Sequence, residues 1–318
     1  MRTSLQFILT TACTALLLGS LATPLRADIM YVSNFSSDTI LKFTSNGVGS
    51  VFFTGSDLNR PIGLAFDSAG NLYAANAFSD TIEKISPGGV GSLFSRFGTR
   101  SPEGLAFDSA GKLYAANSLN NTIQRFTPTG GDSLFASMGL NFPVGLAFDS
   151  AGNLYASNVN NNTIEKFNPD GVGSVFASTG LNRPLALAFD RAGNLYAAND
   201  GNDTIEKFTP DGVGSVFASS GVSLTYGLAF DSAGNLYAAD ANTATISKFT
   251  PGGGRSIFAS RSSGLSGPAG IAFTDDFGVP LKLANQRPVP EPATWALLGL
   301  GLPALLGLSR SSRRAGRS

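Results

Sequence analysis

The chain has 318 residues, of which 42% are hydrophobic and 14% are charged, and its 22 basic and 22 acidic residues give a formal net charge of zero. This balance supplies neither the positive field that a nucleic acid requires nor an acidic tail. Histidine is absent and the single cysteine is Cys13, which excludes Ser-His-Asp and Cys-His nucleophiles and histidine metal sites. We therefore expect no metal and no other cofactor.

Residues 1–27 have the composition of a secretory signal peptide. Arg2 provides a positive start, residues 7–21 form a short apolar run, and Ala27 offers a small residue for cleavage before Asp28. A membrane anchor is the alternative, but the apolar run is short and a proline follows it. We predict an exported protein whose mature chain begins at Asp28 and contains no cysteine.

A sequence unit of about 40 residues recurs after this segment. Residues 63–76 read GLAFDSAGNLYAAN, and later copies repeat them with few changes. The phenylalanine of this unit returns every 41 residues, and a looser copy follows 43 residues after the last of these. Its positions are Phe66, Phe107, Phe148, Phe189, Phe230 and, in the looser copy, Phe273. A fixed period near 40 residues indicates a repeat architecture.

Each unit contains four short segments separated by turn residues. In the copy that begins at Ile62, residues 62–66 are apolar on both faces, residues 72–75 follow a tight Asp-Ser-Ala-Gly turn, and residues 81–85 alternate in polarity. A Pro-Gly-Gly turn then leads to a fourth segment at residues 91–95. Four strands in about 41 residues predict one blade of a β-propeller.

Side-chain sizes in the repeats fit the crowded centre of a propeller. One register of the first strand always carries a small residue, at Gly63, Gly104, Gly145, Ala186, Gly227 and Gly270. The large residues that follow this position, a leucine in most copies and the phenylalanine, are predicted to pack between blades. The second strand carries a tyrosine in every copy, which we interpret as structural, at Tyr31, Tyr73, Tyr114, Tyr155, Tyr196 and Tyr237.

The two ends of the repeat array predict how the ring closes. Residues 28–34 align with a second strand, residues 39–43 with a third and residues 50–54 with a fourth. The missing first strand returns at residues 269–273. Pairing of this C-terminal strand with the N-terminal strands would complete a sixth blade and remove both exposed edges.

The predicted fold is therefore an all-β, six-bladed β-propeller over residues 28–276, with four antiparallel strands per blade. A linker at residues 277–288 would follow it. Residues 280–285 faintly resemble another second strand and compete with residues 28–34 in this alignment, so seven blades remain the alternative.

The repeat pattern Pro-x-Gly-Leu-Ala-Phe-Asp-x-x-Gly-Asn-Leu-Tyr-Ala-Ala-Asn resembles that of NHL-repeat propellers and their relatives. The resemblance covers about residues 28–276 and implies the propeller fold. It says little about activity, because this superfold carries binding modules, lyases and lactone hydrolases alike.

The C-terminus has three consecutive parts. Pro290, Glu291 and Pro292 precede an apolar, glycine-rich segment at residues 293–308, and a basic cluster follows at Arg310, Arg313 and Arg314. As a helix, the apolar segment would span about 24 Å, short of the roughly 30 Å hydrocarbon core. Arginines behind such a marginal span predict a cytoplasmic tail and an external propeller.

This arrangement resembles the PEP-CTERM sorting signal of Gram-negative bacteria. The resemblance implies that an exosortase, a membrane protease, recognises residues 289–318 and processes the protein during surface delivery. We therefore expect transient anchoring in the inner membrane and a final location at the cell surface or outside the cell. An ordinary C-terminal anchor is the alternative.

Loops at the two ends of the predicted disc differ in variability. The turns between strands one and two, and between strands three and four, barely change among the copies. The loops between strands two and three and the links between blades vary. Because successive strands run in opposite directions, all variable loops lie at one end, where we expect a ligand to bind.

Arginines and aromatic residues are predicted on the rim of that end. They are Arg60, Phe78, Arg96, Phe97, Arg100, Phe142, Arg183 and Arg261. Such residues together can bind an acidic polysaccharide or a protein partner. A rim that is merely solvated is the alternative interpretation.

A second set of polar residues ends the second strands, at Asn34, Asn76, Asn117, Asn158, Asn199 and Asp240. We favour local hydrogen bonding in turns over ligand recognition for this ring. The Asp-Ser-Ala-Gly-Asn turns resemble calcium loops superficially. They lack the second carboxylate and the distal glutamate of an EF-hand, so we predict no calcium there.

Enzymes related to gluconolactonases and streptogramin lyases provide the catalytic alternative. The lyase class is expected to use histidine, which this chain lacks. The lactonase class holds a divalent metal with Glu, Asn and Asp at the channel mouth. Glu103 begins one first strand, but the other copies carry no acid at this position, where they have Ile62, Val144, Leu185 and Tyr226.

We therefore predict a non-catalytic binding or structural module of the cell envelope or exopolysaccharide matrix. Its expected partners are the exosortase-type protease and a polysaccharide or surface protein, with the membrane contacted only before processing. A metal-dependent, lactonase-like enzyme that acts at the channel mouth remains the alternative.

Overall fold

The structure, a computed structural model, describes residues 27–96 and 98–281. The predicted signal peptide up to residue 26 and the sorting segment at residues 289–318 lie outside these residues. The described chain forms six separate four-stranded antiparallel sheets, as the sequence predicts. No helix within these residues is long and apolar enough to cross a membrane.

The strands follow one another in four-strand groups. The first three are β1 (Asp28–Asn34), β2 (Thr39–Phe43) and β3 (Gly49–Thr54). Blade one contains β4 (Pro61–Phe66), β5 (Leu72–Asn76), β6 (Thr81–Ile85) and β7 (Gly91–Ser95). Blade two contains β8 (Pro102–Phe107), β9 (Leu113–Asn117), β10 (Thr122–Phe126) and β11 (Asp132–Ala136).

The later blades repeat this order. Blade three contains β12 (Pro143–Phe148), β13 (Leu154–Asn158), β14 (Thr163–Phe167) and β15 (Gly173–Ala177). Blade four contains β16 (Pro184–Phe189), β17 (Leu195–Asn199), β18 (Thr204–Phe208) and β19 (Gly214–Ala218). Blade five contains β20 (Thr225–Phe230), β21 (Leu236–Asp240), β22 (Thr245–Phe249) and β23 (Arg255–Ala259), and a 3₁₀ turn at Arg261–Ser263 leads to β24 (Pro268–Asp275).

Blade six joins the two ends of the described chain, in the order β24-β1-β2-β3. Met30 lies opposite Phe273 and Val32 opposite Ile271 in the β1–β24 pair. This pairing confirms the predicted closure and the count of six blades. It also removes the free edges that an open array would expose near the axis.

Pro280 and Leu281, the described part of the stretch that resembles another second strand, do not form a strand that competes with β1. Pro280 instead makes an isolated bridge with Thr274, and the Leu281 N–H donates to the Phe273 carbonyl at 3.1 Å. The other edge of β24 is occupied by β1, so Pro280 and Leu281 lie along the edge that faces the axis. The rest of the resembling stretch, residues 282–285, lies outside the described residues.

Aromatic side chains hold neighbouring blades together. Tyr73 packs edge-on against Phe94 of its own blade and Phe107 of the next, with ring centroids 4.9 and 5.0 Å apart. The same arrangement recurs at all six tyrosines. Each such pair contributes about 0.5–1.5 kcal/mol beyond its buried area. These ring contacts explain the predicted structural role of the tyrosines. They also account for the predicted packing of the phenylalanines between blades.

The small residue of the first strand is required by close backbone approach. A Cβ atom at Gly63 would collide with the carbonyl oxygen of Glu103 on the first strand of the next blade. Leu64, which follows it, packs in the opposite direction against Tyr31 and Leu72 in a buried cluster. Alternation along the strand thus separates a backbone contact on one side from a hydrophobic contact on the other.

The repeated aspartate at the end of each first strand organises the following turn. In blade one, Asp67 Oδ1 accepts hydrogen bonds from the N–H groups of Ala69 and Asn71 at 3.0 and 2.9 Å. Its Oδ2 accepts from the Asn71 side chain at 2.8 Å and from the Tyr73 hydroxyl at 3.3 Å. Both carboxylate oxygens are therefore engaged by the protein itself, which fits a structural turn.

Candidate functional site

The two ends of the disc have different construction. One end, the turn face, carries the turns between first and second strands and between third and fourth strands. The other end, the loop face, carries the loops between second and third strands and the links between blades. The loop face is the one where the sequence predicts ligand binding.

Hydrophobic side chains close the axis at the loop face. The second residues of the first strands and their equivalent in β24 meet there, namely Ile62, Glu103, Val144, Leu185, Tyr226 and Ala269. Tyr226 packs against Ile62 and Ala269 on one side and against Val144 and Leu185 on the other. It therefore lies across the axis and contacts several blades, a role that the sequence did not reveal.

Glu103 is the only carboxylate in that central register. It is 6% exposed, and burial raises its pKa to about 7, an effect that a hydrogen bond with Ser118 partly opposes. Burial and the charge of Glu103 together raise the pKa of Tyr226 to about 12. A carboxyl group that titrates near neutral pH can act as a general acid or base if a substrate reaches it.

A cation–aromatic stack stands on the loop face between blades six and one. The Arg60 guanidinium lies 4.0 Å from the ring centroid of Phe78 and 5.1 Å from that of Phe35. Phe78 is 61% exposed, and the Arg60 backbone, at φ 51°, is held by a hydrogen bond from its N–H to Asp38 at 2.6 Å. The structure thus brings together two predicted rim residues and adds Phe35.

Phe35 was missed because it belongs to the incomplete first repeat. It follows β1 directly, in the same place that Ala77 occupies after β5. A comparison of the loops after each second strand would have found it, since an aromatic residue stands there in only this copy.

The remaining predicted rim residues lie around the loop face on other links. Arg100 faces Asp80 at 4.0 Å and Arg183 faces Asp200 at 3.3 Å. Phe142 is partly buried and packs against Val144, Val159 and Leu185. It therefore belongs to the hydrophobic side chains that close the axis, which we call the plug, more than to the rim. Arg96 and Arg261 are exposed on separate links. Phe97 lies outside the described residues.

The predicted polar ring lies under the links between blades. Asn158, which is fully buried, accepts a hydrogen bond from the Asn141 N–H at 3.0 Å and donates to the Gly139 carbonyl and Thr163 Oγ1 at 2.8 and 3.0 Å. Equivalent bonds recur at Asn34, Asn76, Asn117 and Asn199. Asp240 instead accepts from the Thr243 N–H at 3.1 Å. The five asparagines each fasten a link to the blade that follows it.

The larger cavity of the described residues opens at the turn face. It has a volume of about 560 Å³ and is lined by the phenylalanines that end the first strands and by the alanines before them. A narrow channel of about 70 Å³, lined by the small residues and leucines, continues toward Tyr226. Pro280 and Leu281 line the larger cavity, which we call the funnel. The loop face therefore has the stack and the plug, whereas the turn face has the concave apolar surface.

The described residues contain no group of three or more His, Cys, Asp or Glu side chains placed to hold a metal ion. Glu103 is surrounded on the central register by hydrophobic residues, so it has no neighbouring carboxylate there. On this central register, a lactonase-type metal site would therefore have Glu103 as its single carboxylate donor.

A known sequence motif matches the C-terminus. The PEP-CTERM protein-sorting motif matches residues 288–314. The chain therefore carries this sorting signal, which indicates export, transient membrane anchoring and processing by exosortase-type machinery. No curated protein matches the chain.

Solved structures resemble the described fold. A chain in a crystal structure of a nidogen/laminin complex has a TM-score of 0.69 at 23% identity, covering 77% of this chain and 98% of the other. A catalytically inactive virginiamycin B lyase from Staphylococcus aureus, crystallised with quinupristin, has a TM-score of 0.61 at 15% identity, with 80% and 94% covered. A gluconolactonase from Xanthomonas campestris has a TM-score of 0.57 at 22% identity, with 66% and 78% covered. These similarities show the propeller fold, which both enzymes and a binding protein use.

Proposed function

We propose that this exported propeller is a non-catalytic binding module that holds an acidic polysaccharide of the cell envelope or matrix on its loop face. The observation that carries the proposal is the contact of Arg60 with the rings of both Phe35 and Phe78, which also contact each other edge-on. An exposed aromatic ring offers a flat surface for a sugar ring, and the guanidinium offers paired donors for a carboxylate or sulfate. Both groups are already oriented, which lowers the entropy cost of binding.

Arginines on the neighbouring links support this assignment. Arg96, Arg100, Arg183 and Arg261 follow the circumference of the loop face, so an extended anionic chain would meet several of them. Two are engaged with Asp80 and Asp200 at 4.0 and 3.3 Å. These exposed pairs are weak and can exchange for ligand oxygens. Binding is therefore expected to weaken as salt concentration rises.

A glycan array followed by titration tests the proposal. We expect binding to acidic glycans, and we expect Phe78→Ala and Arg60→Gln each to weaken it about tenfold, the loss of roughly one desolvated cation–aromatic contact. Arg191→Ser is the matched control, because Arg191 lies at the funnel on the turn face and serine occupies its position in the other copies. Absence of binding to every acidic glycan, or equal weakening by the control, would refute the proposal.

The second candidate function is catalysis at Glu103, favoured by its pKa of about 7. A lactone would be the substrate class, with Glu103 as the general acid or base and a divalent ion supplied from solution. The test is turnover of a lactone series with and without calcium. Activity that follows a pKa near 7 and disappears in Glu103→Gln would establish this function in place of the binding module.

We further infer that residues 1–27 direct the chain out of the cytoplasm and that processing at Pro290-Glu291-Pro292 releases it to the cell surface or beyond. The matched sorting motif supports this inference. Glu291→Ala should leave the unprocessed form in the inner membrane, as seen in fractionated cells by immunoblotting. Unchanged size and location in this variant would contradict it, whereas Asp170→Ala on an exposed turn of the propeller serves as the control.

A further inference from the structure

The described chain ends inside the funnel, close to the axis. Pro280 and Leu281 line this cavity, and the Leu281 N–H is bonded to the Phe273 carbonyl on the inner edge of β24. Leu281 also packs against the buried cluster that contains Met30, Tyr237 and Phe273. The last described residue before the sorting segment therefore lies on the turn-face side of the disc.

The tether between this point and the apolar segment is short. Ala293 lies 12 positions after Leu281 along the sequence, which corresponds to about 40–43 Å when fully extended and a root-mean-square length of about 20 Å when flexible. To bring the loop face to the bilayer, the tether would have to run from the axis across four strands and along a blade edge. That path is at least about 35 Å before loops are counted.

Exposed apolar side chains favour the same orientation. Among the described residues, the turn face carries six large hydrophobic residues that are half or more exposed, at Val48, Val90, Val172, Val213, Phe277 and Val279. Among the same residues, which do not include residue 97, the loop face carries three, at Phe78, Leu119 and Met138. The four turn-face valines occupy the same position in the turn between third and fourth strands of four of the six blades, so they project from one plane of the disc.

We propose that the turn face is the surface that the propeller presents to the lipid bilayer while the sorting segment anchors it. The partner is a membrane surface, contacted through the exposed valines and Phe277. The loop face then points away from the membrane before processing, which leaves its ligand-binding groups accessible. This orientation rests on the position of Leu281 at the turn face, on a flexible tether length below the path to the loop face, and on the exposed apolar side chains of the turn face. It does not depend on the identity of any ligand.

Distances from two labels to the bilayer test this orientation. In the full chain with Cys13→Ser, a single cysteine replaces either Ser150 on the turn face or Asn160 on the loop face. Both residues are exposed and lie in blade three, opposite the blade that holds the tether. The anchored protein is placed in vesicles of phosphatidylethanolamine and phosphatidylglycerol with an acceptor dye in the lipid. Energy transfer should place the label at position 150 about 20 Å closer to the bilayer, the length of one strand.

An extended tether supplies the control. Insertion of a flexible glycine-serine stretch as long as the propeller path, between Leu281 and Lys282, should reduce the difference between the two labels. Equal distances in the native-length protein, or a closer label at position 160, would overturn the proposal. A difference of unchanged size after the insertion would overturn the tether argument. None of these readings measures glycan binding, so this proposal and the proposed function can fail separately.

Discussion

The turn face and the loop face are built from the same six repeats but differ in how strictly the repeats agree. On the turn face, an aspartate such as Asp67 or Asp231 uses both carboxylate oxygens to hold its turn and a tyrosine of the second strand. On the loop face, the links differ in composition, the link before β24 is also longer than the others, and each copy has its own exposed residues. The face that stabilises the fold is therefore nearly uniform, and the face available for recognition is not.

The comparison shows which residues the repeat pattern already explains. A residue that recurs in every copy, such as Tyr73, already has a structural explanation in its ring contacts. A residue that occurs in one copy, such as Glu103 or Tyr226, is not required by the fold and needs another explanation. The following four predictions test this contrast between the two faces, beginning with the largest expected effect.

Asp231→Ala should destabilise the protein by about 4 kcal/mol, because a buried carboxylate that accepts four hydrogen bonds is lost. Its Oδ2 also lies 3.8 Å from Lys248 Nζ. Chemical denaturation measures the change. Asp211→Ala on an exposed turn of the same face should stay within about 0.5 kcal/mol. Similar losses in both variants would show that the repeated aspartate has no special structural role.

Glu103→Gln should change the pH dependence of stability. The folded pKa of about 7 lies above the usual value of 4.5, so the favourable contribution of protonated Glu103 is complete below pH 4.5 and is lost as pH rises through 7. The variant should therefore gain up to about 3 kcal/mol over the wild type between pH 4.5 and 8. Denaturation at both pH values checks this, and a constant difference would contradict it.

Asn158→Ala should cost about 1–2 kcal/mol, less than the turn-face change, because three neutral hydrogen bonds at a link are lost. The nearby exposed Asn160→Ala is the control and should have almost no effect. Denaturation again provides the measurement. A loss equal to that of Asp231→Ala would mean that the loop face contributes as much to stability as the turn face.

Phe78→Ala should change stability by less than about 0.5 kcal/mol, since the ring is 61% exposed. The same variant should lose glycan affinity under the proposed function. This combination separates recognition from folding on the loop face. A large loss of stability would instead assign the Arg60 stack to the scaffold.

Much of the fold could be predicted from the sequence because its determinants lie within one repeat. The 41-residue interval, the small residue at Gly63 and the incomplete first unit predict the strands, the blade packing and the closure of β24 on β1. The aspartate turns are equally local, since the hydrogen bonds that Asp67 accepts come from residues within six positions of it. The rim residues Arg60 and Phe78 were also found from their sequence position.

Several features of the candidate site could not be predicted in this way. Phe35 joins Arg60 and Phe78 from a different blade, and Tyr226 reaches Ile62 across the axis. The burial of Glu103, which shifts its pKa, results from the blades around it. The sequence predicted the residues after β24 only as a possible competing second strand, because the alignment did not show which edge of β24 would be unpaired.

The sequence by itself determined the repeat, the six blades, the pairing of the N- and C-terminal strands and the sorting signal. These depend on local periodicity, turn chemistry and short linear motifs. Three further features became visible only in the tertiary structure: hydrophobic side chains close the axis at the loop face, the funnel opens at the turn face, and Pro280 and Leu281 lie in that funnel. The physical reason is that each of these features is formed by side chains and strand edges from several blades, which become neighbours only when the ring closes.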